Sequence, residues 1–224
     1  MARPDQSQRS WVALFDLDGT ITYKDTLLPF LFGFMRKNPL RLLQLWQVPG
    51  ALWNYFLERD RGALKSRMIR MAMGGLERAR LDAWADAYVA SLRRRGQLRP
   101  IALKVIATHR AAGDKLVLLS ASPDLYVPKI GALLGFDQTF CTELEWNGER
   151  LEGSLRTPNR RGAEKTRCLN QIRSLYKSSP VIAYGNASSD LDHMRKADSA
   201  LLVNGDAATR KAAGALEIAT GEWP

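Results

Sequence analysis

Residues 16–20 read Asp-Leu-Asp-Gly-Thr and follow directly on the apolar run Trp-Val-Ala-Leu-Phe at 11–15. A short run rich in strand formers that ends in this way reads as a buried strand delivering a loop. Asp16 and Asp18 then stand on alternate residues around one turn. One carboxylate can attack phosphorus to form an aspartyl-phosphate, and a second can protonate the leaving oxygen and later activate water. As structure alone the same five residues make a strand-ending turn, for which Asp and Gly are well suited.

Three more polar strand ends follow in the chain. Ser120 succeeds the apolar run 115–119, where its hydroxyl and the next backbone N–H groups, that of Ala121 first, stand at a helix entrance suited to phosphate. Lys165 sits in Gly162-Ala163-Glu164-Lys165 at the start of a helix, where a cation opposes the macrodipole unless it faces an anion or solvent. The stretch 184–190, Tyr-Gly-Asn-Ala-Ser-Ser-Asp, offers oxygen ligands at Asn186 and Asp190, with Ser188 and Ser189 between them. Hard Mg²⁺ takes such ligands and keeps several waters. Each loop alone has a plain capping or turn explanation; four together in one chain do not.

The elements that must position these residues can be read from periodicity. From about 26 to 95 the pattern is helical, broken at Pro39, at Pro49-Gly50 and at Gly74-Gly75. After Arg99 helix and strand alternate: a helix near 100–112, a strand at 115–119, and a helix opened by Ser122 as N-cap with Pro123 in its first turn. Residues 140–146 and 150–156 flank Asn147-Gly148, a hairpin signal. A helix at 162–177, a strand at 181–184, a helix at 188–196 and a strand at 200–203 complete the alternation. This predicts an α/β fold: a Rossmann-like parallel sheet with an α-helical cap inserted after the first strand. The core domain is expected over 11–25 and 96–224, and the cap over 26–95. Ligands in such sheets bind beyond the carboxyl ends of the strands, where all the singled-out residues fall.

At 224 residues, 46% hydrophobic and 25% charged, the chain has the composition of an ordinary soluble globular protein able to bury a full core. Its two cysteines, Cys141 and Cys168, lack the paired spacing of a zinc or redox motif and fit reduced thiols in the cytoplasm. Residues 1–10 are polar and carry Arg3, Asp5 and Arg9, without the apolar stretch of a secretory signal. The net charge of +10 favours anionic partners. No nucleic-acid motif accompanies it, so nucleic acid is not an expected partner.

The order Asp16/Asp18, Ser120, Lys165, Asn186/Asp190 resembles the four motifs of the haloacid dehalogenase superfamily over about residues 11–205. The early helical insertion resembles the cap of its phosphoserine-phosphatase-like branch, subfamily IB. The resemblance implies a Mg²⁺-dependent phosphatase in which Asp16 is nucleophile and metal ligand. Asp18 is then general acid and base, with its backbone carbonyl on the metal. Ser120, Ala121 and Lys165 hold the phosphoryl oxygens, Asn186 ligates Mg²⁺, and Asp190 orients metal waters and the lysine. Members usually carry Asp at the place of Asn186, which brings one negative charge fewer. That departure leaves a second class of reading, a catalytically weak binding or regulatory member.

For the substrate, the phosphoserine phosphatases imply an acidic residue after the first motif and a cap arginine gripping an amino acid. Asp25 and Arg67 stand at matching places, with Ser189 a further candidate, although helix capping explains Asp25 and a solvated face explains Arg67 equally well. The stretch 27–57 holds Phe30, Phe32, Phe34, Trp46, Trp53, Tyr55 and Phe56 beside Arg36, Lys37 and Arg41. It is too interrupted to span a membrane. Periodic apolar faces predict that these aromatics pack inside the cap. Aromatic and basic residues together also suit a peripheral contact at the inner face of a membrane. The stretch, including Asn-Pro-Leu at 38–40, resembles the cap of bacterial phosphatidylglycerophosphate phosphatases. The partner is thus a small phosphorylated metabolite or, alternatively, a lipid phosphate.

Overall fold

The computed structural model describes residues 10–224; the reading of the first ten residues as lacking a secretory signal lies, but for Ser10, outside them. Six strands form one parallel sheet in the order β3-β2-β1-β6-β7-β8. They are β1 (Val12–Phe15), β2 (Lys115–Pro123), β3 (Gln138–Thr142), β6 (Val181–Gly185), β7 (Ser199–Val203) and β8 (Ala219–Gly221). The expected α/β fold is therefore present. The central strand is apolar throughout, Val12, Ala13, Leu14 and Phe15 all being buried, as a strand covered on both faces requires. β1 pairs with β2 on one side and β6 on the other, Phe15 lying beside Leu118 and Tyr184. The strand order reverses at this point, which opens a crevice beyond the carboxyl ends.

Helices α5 (Pro100–Ala111), α6 (Val127–Leu134), α7 (Ala163–Leu175), α8 (Leu191–Arg195) and α9 (Ala207–Ala215) make the crossovers. Between β1 and α5 run α1 (Leu27–Lys37), a 3₁₀ stretch (Pro39–Gln47), α2 (Val48–Glu58), α3 (Arg61–Met73) and α4 (Arg78–Arg94). Pro39 opens the 3₁₀ stretch, Pro49 lies in the first turn of α2, and Gly74-Gly75 separates α3 from α4, so the expected breaks are helix boundaries. A further break falls at Arg59-Asp60, where neither proline nor glycine marks it. Asp60 Oδ1 accepts the N–H groups of Gly62 and Ala63 at 2.7 and 3.0 Å and caps α3.

The two chains joining these helices to the sheet run side by side. Thr22 bridges Leu98, and Tyr23 N–H donates to the Gln97 carbonyl at 3.1 Å. Phe30 packs edge-on against Tyr88 and tilted against Tyr126, tying α1 and α4 to the segment before α6. A hairpin of β4 (Leu144–Asn147) and β5 (Arg150–Leu155) grips the far end, where Leu151 N–H donates to Leu76 O and Gly75 N–H to Leu151 O. The expected hairpin is present, but its first strand begins only at Leu144, residues 140–142 belonging to β3 of the main sheet, and its turn falls at Gly148-Glu149 and not at Asn147-Gly148, Gly148 taking the positive φ of 55°.

Two expectations are corrected. Ser122-Pro123 does not open a helix: β2 continues through Pro123, and the helix begins at Val127. A residue before proline is pushed into extended geometry, which keeps Ser122 in the strand. Nor do all the aromatics of 27–57 pack inside. Phe30 and Phe34 are buried, but Phe32, Trp46, Trp53 and Phe56 are exposed, because α1, the 3₁₀ stretch and α2 are apolar on more faces than their neighbours cover.

Candidate active site

After β1 the chain makes one wide turn, Leu17–Ile21, closed by Thr22 N–H donating to Leu17 O at 3.0 Å. Gly19 permits it twice over. Its φ is 84°, and a Cβ there would lie 2.1 Å from Asn186 Nδ2. The turn delivers Asp16 and Asp18 to the crevice with different partners.

Asp16 is buried and faces Lys165, whose Nζ donates to Asp16 Oδ1 at 2.5 Å and to Asp190 Oδ1 at 2.7 Å. Thr20 Oγ1 donates to the other Asp16 oxygen at 3.2 Å. Burial raises the Asp16 carboxyl, to about 7, with Lys165 pulling the other way. Burial alone would lower the Lys165 ammonium, yet the two carboxylates hold it well above its usual range. Asp190 is spent on positioning: its second oxygen accepts the N–H groups of Asn186 and Ala187 at 3.2 and 3.0 Å. Lys165 is thus a buried cation facing anions at a helix start.

Asp18 has no cation within hydrogen-bond reach. Its Oδ1 accepts the backbone N–H and hydroxyl of Thr26 at 2.7 and 2.6 Å, and its Oδ2 the hydroxyl of Ser122 at 2.7 Å and that of Ser120 at 3.4 Å. Burial and then Asp25 raise its carboxyl, against these donors. Thr26 hydrogen-bonds Tyr126 at 2.9 Å and accepts Tyr88 OH at 2.8 Å on its carbonyl. The second aspartate is therefore moored to the beginning of α1.

A cavity of about 200 Å³ opens over these groups. Asp16, Asp18, Asp25, Ala121, Lys165, Asn186, Ser189 and Asp190 all line it, so the structure brings together eight of the ten expected residues. Ser120 stands behind Asp18, fully buried. Asp25 both lines the cleft and caps α1, its Oδ1 accepting Leu27 N–H at 2.9 Å. Arg67 stands apart from them and lines a separate cavity with Gln44, Gln47 and Asn54. On α3, Arg61 and Lys65 are four residues apart and face the cleft, whereas Arg67 is turned some 200° from Lys65, on the geometry of an α-helix.

Arg61, Lys65, Ser122, Asn159 and Arg161 line the cleft without having been read from the sequence. Lys65 Nζ donates to Ala121 O at 2.5 Å and Asn159 Oδ1 at 2.6 Å, and burial pushes its pKa down to about 8. The i, i+4 spacing of Arg61 and Lys65 was the one available signal. Ala121 and Ser122 reach the cleft because β2 carries two extra residues there: Leu119 pairs with Phe140 and Pro123 with Thr142.

A cation site can be tested on donor chemistry. Among the described residues, no group of three His, Cys, Asp or Glu converges as a metal cluster. The Asp16 carboxylate and Asn186 Oδ1 do converge, both in reach of Thr20 Oγ1 at 3.2 and 3.5 Å. An oxygen-only set completed by water fits hard Mg²⁺ and not a thiolate- or imidazole-seeking ion.

The family model for haloacid dehalogenase-like hydrolases matches residues 13–195, a span that contains every group described above. The chain is 34% identical over 191 residues to Protein CicA of Caulobacter vibrioides, covering 82% of each protein. Its fold is similar to that of a Bordetella pertussis protein of unknown function, with a TM-score of 0.80 at 18% identity over 95% of this chain and 98% of that one. It is also similar in fold to a substrate-bound phosphoserine phosphatase, with a TM-score of 0.64 at 15% identity over 92% and 91%. A six-stranded parallel sheet, two aspartates on one wide turn and the family match over most of the length agree: this chain belongs to the haloacid dehalogenase-like hydrolases.

Proposed function

We propose that the chain is a Mg²⁺-dependent phosphatase that hydrolyses a small phosphomonoester through a phosphorylated Asp16, in the cytoplasm. The observation that supports this most is the contrast between the two aspartates on one turn. Asp16 is ion-paired to a buried lysine, and Asp18 accepts hydrogen bonds from neutral donors alone. A carboxylate with a cation partner, beside a carboxyl that burial and Asp25 push toward its neutral form, is the contrast a nucleophile and a general acid need.

Asp16, oriented by Lys165 and Thr20, attacks phosphorus. The ester P–O bond breaks, and the leaving oxygen takes its proton from Asp18. Asp18 then accepts a proton from water, whose oxygen attacks the aspartyl-phosphate and releases Asp16 and inorganic phosphate. Lys165 and the Ala121 N–H in the bulge of β2 balance charge on the phosphoryl oxygens. Asp16, the Asp18 carbonyl and Asn186 would hold Mg²⁺, with Asp190 fixing the loop. Bound Mg²⁺ supplies further neutralisation and keeps Asp16 ionised. The helices between Leu27 and Arg94 act as a cap that limits water and selects substrate.

Selection falls to Arg61, Lys65 and Arg161 at the cleft wall, in place of Arg67, with Asp25 beside them. Three cations and one carboxylate there favour a substrate carrying a second anionic group in addition to the phosphate.

The decisive experiment is Asp16→Asn, scored for release of phosphate from a generic aryl phosphate with and without Mg²⁺. Turnover is lost while the far-UV and near-UV dichroism stay those of the parent chain. Near-normal turnover in the folded variant refutes the mechanism. Absence of any Mg²⁺-dependent hydrolysis by the parent chain favours the binding or regulatory reading.

A further inference from the structure

We infer that the outer face of the 3₁₀ stretch and α2 docks on an anionic lipid bilayer. Between Leu27 and Arg59 the chain carries more large apolar side chains than its neighbours cover. Trp46 is 77% exposed, Trp53 67%, Phe56 66% and Leu57 68%, with Leu40 and Leu43 beside them in sequence. Residues 53, 56 and 57, preceded by 49 and 52, recur at helical spacing, so they form one stripe along α2. The opposite side of that helix is already packed, through Ala51. Such an exposed patch marks an interaction surface.

Charge decides the occupant. From Leu27 to Arg59 four basic residues, Arg36, Lys37, Arg41 and Arg59, stand against one acidic residue, Glu58, in a chain of net charge +10. Arg36 and Arg59 are exposed, while Lys37 reaches over the Trp84 ring of α4. A second copy of this chain would set like charges against each other, whereas anionic headgroups complement them. Tryptophan suits the boundary itself, with an apolar ring and an N–H for the headgroup layer.

Two more features fit a bilayer. An apolar cavity of about 100 Å³ lies between α1, α2 and α3, and Phe32 and Leu52, both exposed, line it, so it opens at this surface and can take a stretch of acyl chain. The end of α2 also leads within three residues to Arg61, which lines the catalytic cleft. No helix among the described residues is long and apolar enough to cross a membrane, so the contact is peripheral.

The docking face stands independently of the catalytic reading, and the test keeps them apart. The full chain is floated at low salt with vesicles of phosphatidylcholine containing phosphatidylglycerol, and tryptophan emission is followed with bromine-labelled acyl chains. The parent chain co-floats and is quenched, and Asp16→Asn behaves identically. Trp46→Ser/Trp53→Ser/Phe56→Ser lowers the partition more than about tenfold and removes the quenching, on the transfer free energy of buried aromatics. Arg36→Gln/Arg59→Gln weakens binding several-fold, as does raised salt. Failure to co-float, or equal flotation by the triple variant, overturns the proposal. A dimer by light scattering that the triple variant dissolves also overturns it, since a second copy would then own the face.

Discussion

Replacing Lys165 with methionine keeps the length of the side chain and removes the charge that Asp16 and Asp190 share. In the native chain the Nζ lies 2.5 and 2.7 Å from two carboxylates and is 3% exposed, so water cannot substitute for it. Removing one partner of such a buried pair costs about 3–5 kcal/mol, because the remaining charges stay unpaired. Against a domain stability of roughly 5–15 kcal/mol that is a large fraction. The effect has a definite pH dependence. In the parent chain burial, the largest single influence, pushes the Asp190 carboxyl up, but the charge and hydrogen bond of Lys165 with the other neighbours, the Ala187 N–H among them, together hold it below its usual range. A depressed carboxyl contributes stability above its unfolded pKa and loses it as pH falls. In Lys165→Met both carboxyls lose their counter-charge and rise, so the variant gains stability as they protonate. Urea denaturation, run without Mg²⁺, should therefore show the largest deficit at pH 8 and a much smaller one at pH 5. Adding Asp190→Asn to the variant should recover part of the loss at pH 8. A Lys165→Met chain within about 0.5 kcal/mol of the parent at pH 8, the usual spread of surface substitutions, would refute the shared ion pair.

Three further outcomes follow from the same geometry. Asn186→Asp adds an anionic oxygen to a hard-cation site, so the Mg²⁺ concentration for half-maximal activity should fall, with only a modest change in the saturated rate; identical titrations would remove Asn186 from the ligand set. Lys65, with its pKa pushed down to about 8 by burial, is charged below that pH and neutral above it. KM for a substrate with a second anionic group should therefore rise above pH 8 while kcat holds, and Lys65→Met should abolish that limb of the profile. Gly19→Ala forces a Cβ into φ 84° and to 2.1 Å from Asn186 Nδ2. It should lower stability by roughly 1–2 kcal/mol, the cost of a left-handed non-glycine residue, and displace Asn186 enough to weaken Mg²⁺ dependence; a neutral effect in thermal melts and activity alike would contradict the packing described.

Much of this protein is legible one residue after another, because strand ends carry local signatures. An apolar run that stops at Asp-Leu-Asp-Gly-Thr must deliver both carboxylates to one sheet end. Lys165 at a helix start is anomalous unless an anion faces it, and the anion is there at 2.5 Å. The parallel sheet follows from the alternation of elements, and the helical insertion from the changed period after Thr26. What tertiary structure alone decided lies across elements. Helical phase on α3 turns Arg61 and Lys65 to the cleft and Arg67 away from it, and no local pattern says which face of a helix looks inward. The two extra residues in β2 move Ser122 from an expected N-cap to a donor for Asp18, since a bulge is defined by its partner strand. Asp18 meets Thr26 at the start of α1 because the chain leaves and rejoins the sheet side by side, at Thr22 and Leu98. Likewise the aromatics between Leu27 and Glu58 have one composition but two fates, because burial depends on how many neighbours the fold supplies: it covers Phe30 and Phe34 on α1 and leaves Trp46, Trp53 and Phe56 uncovered.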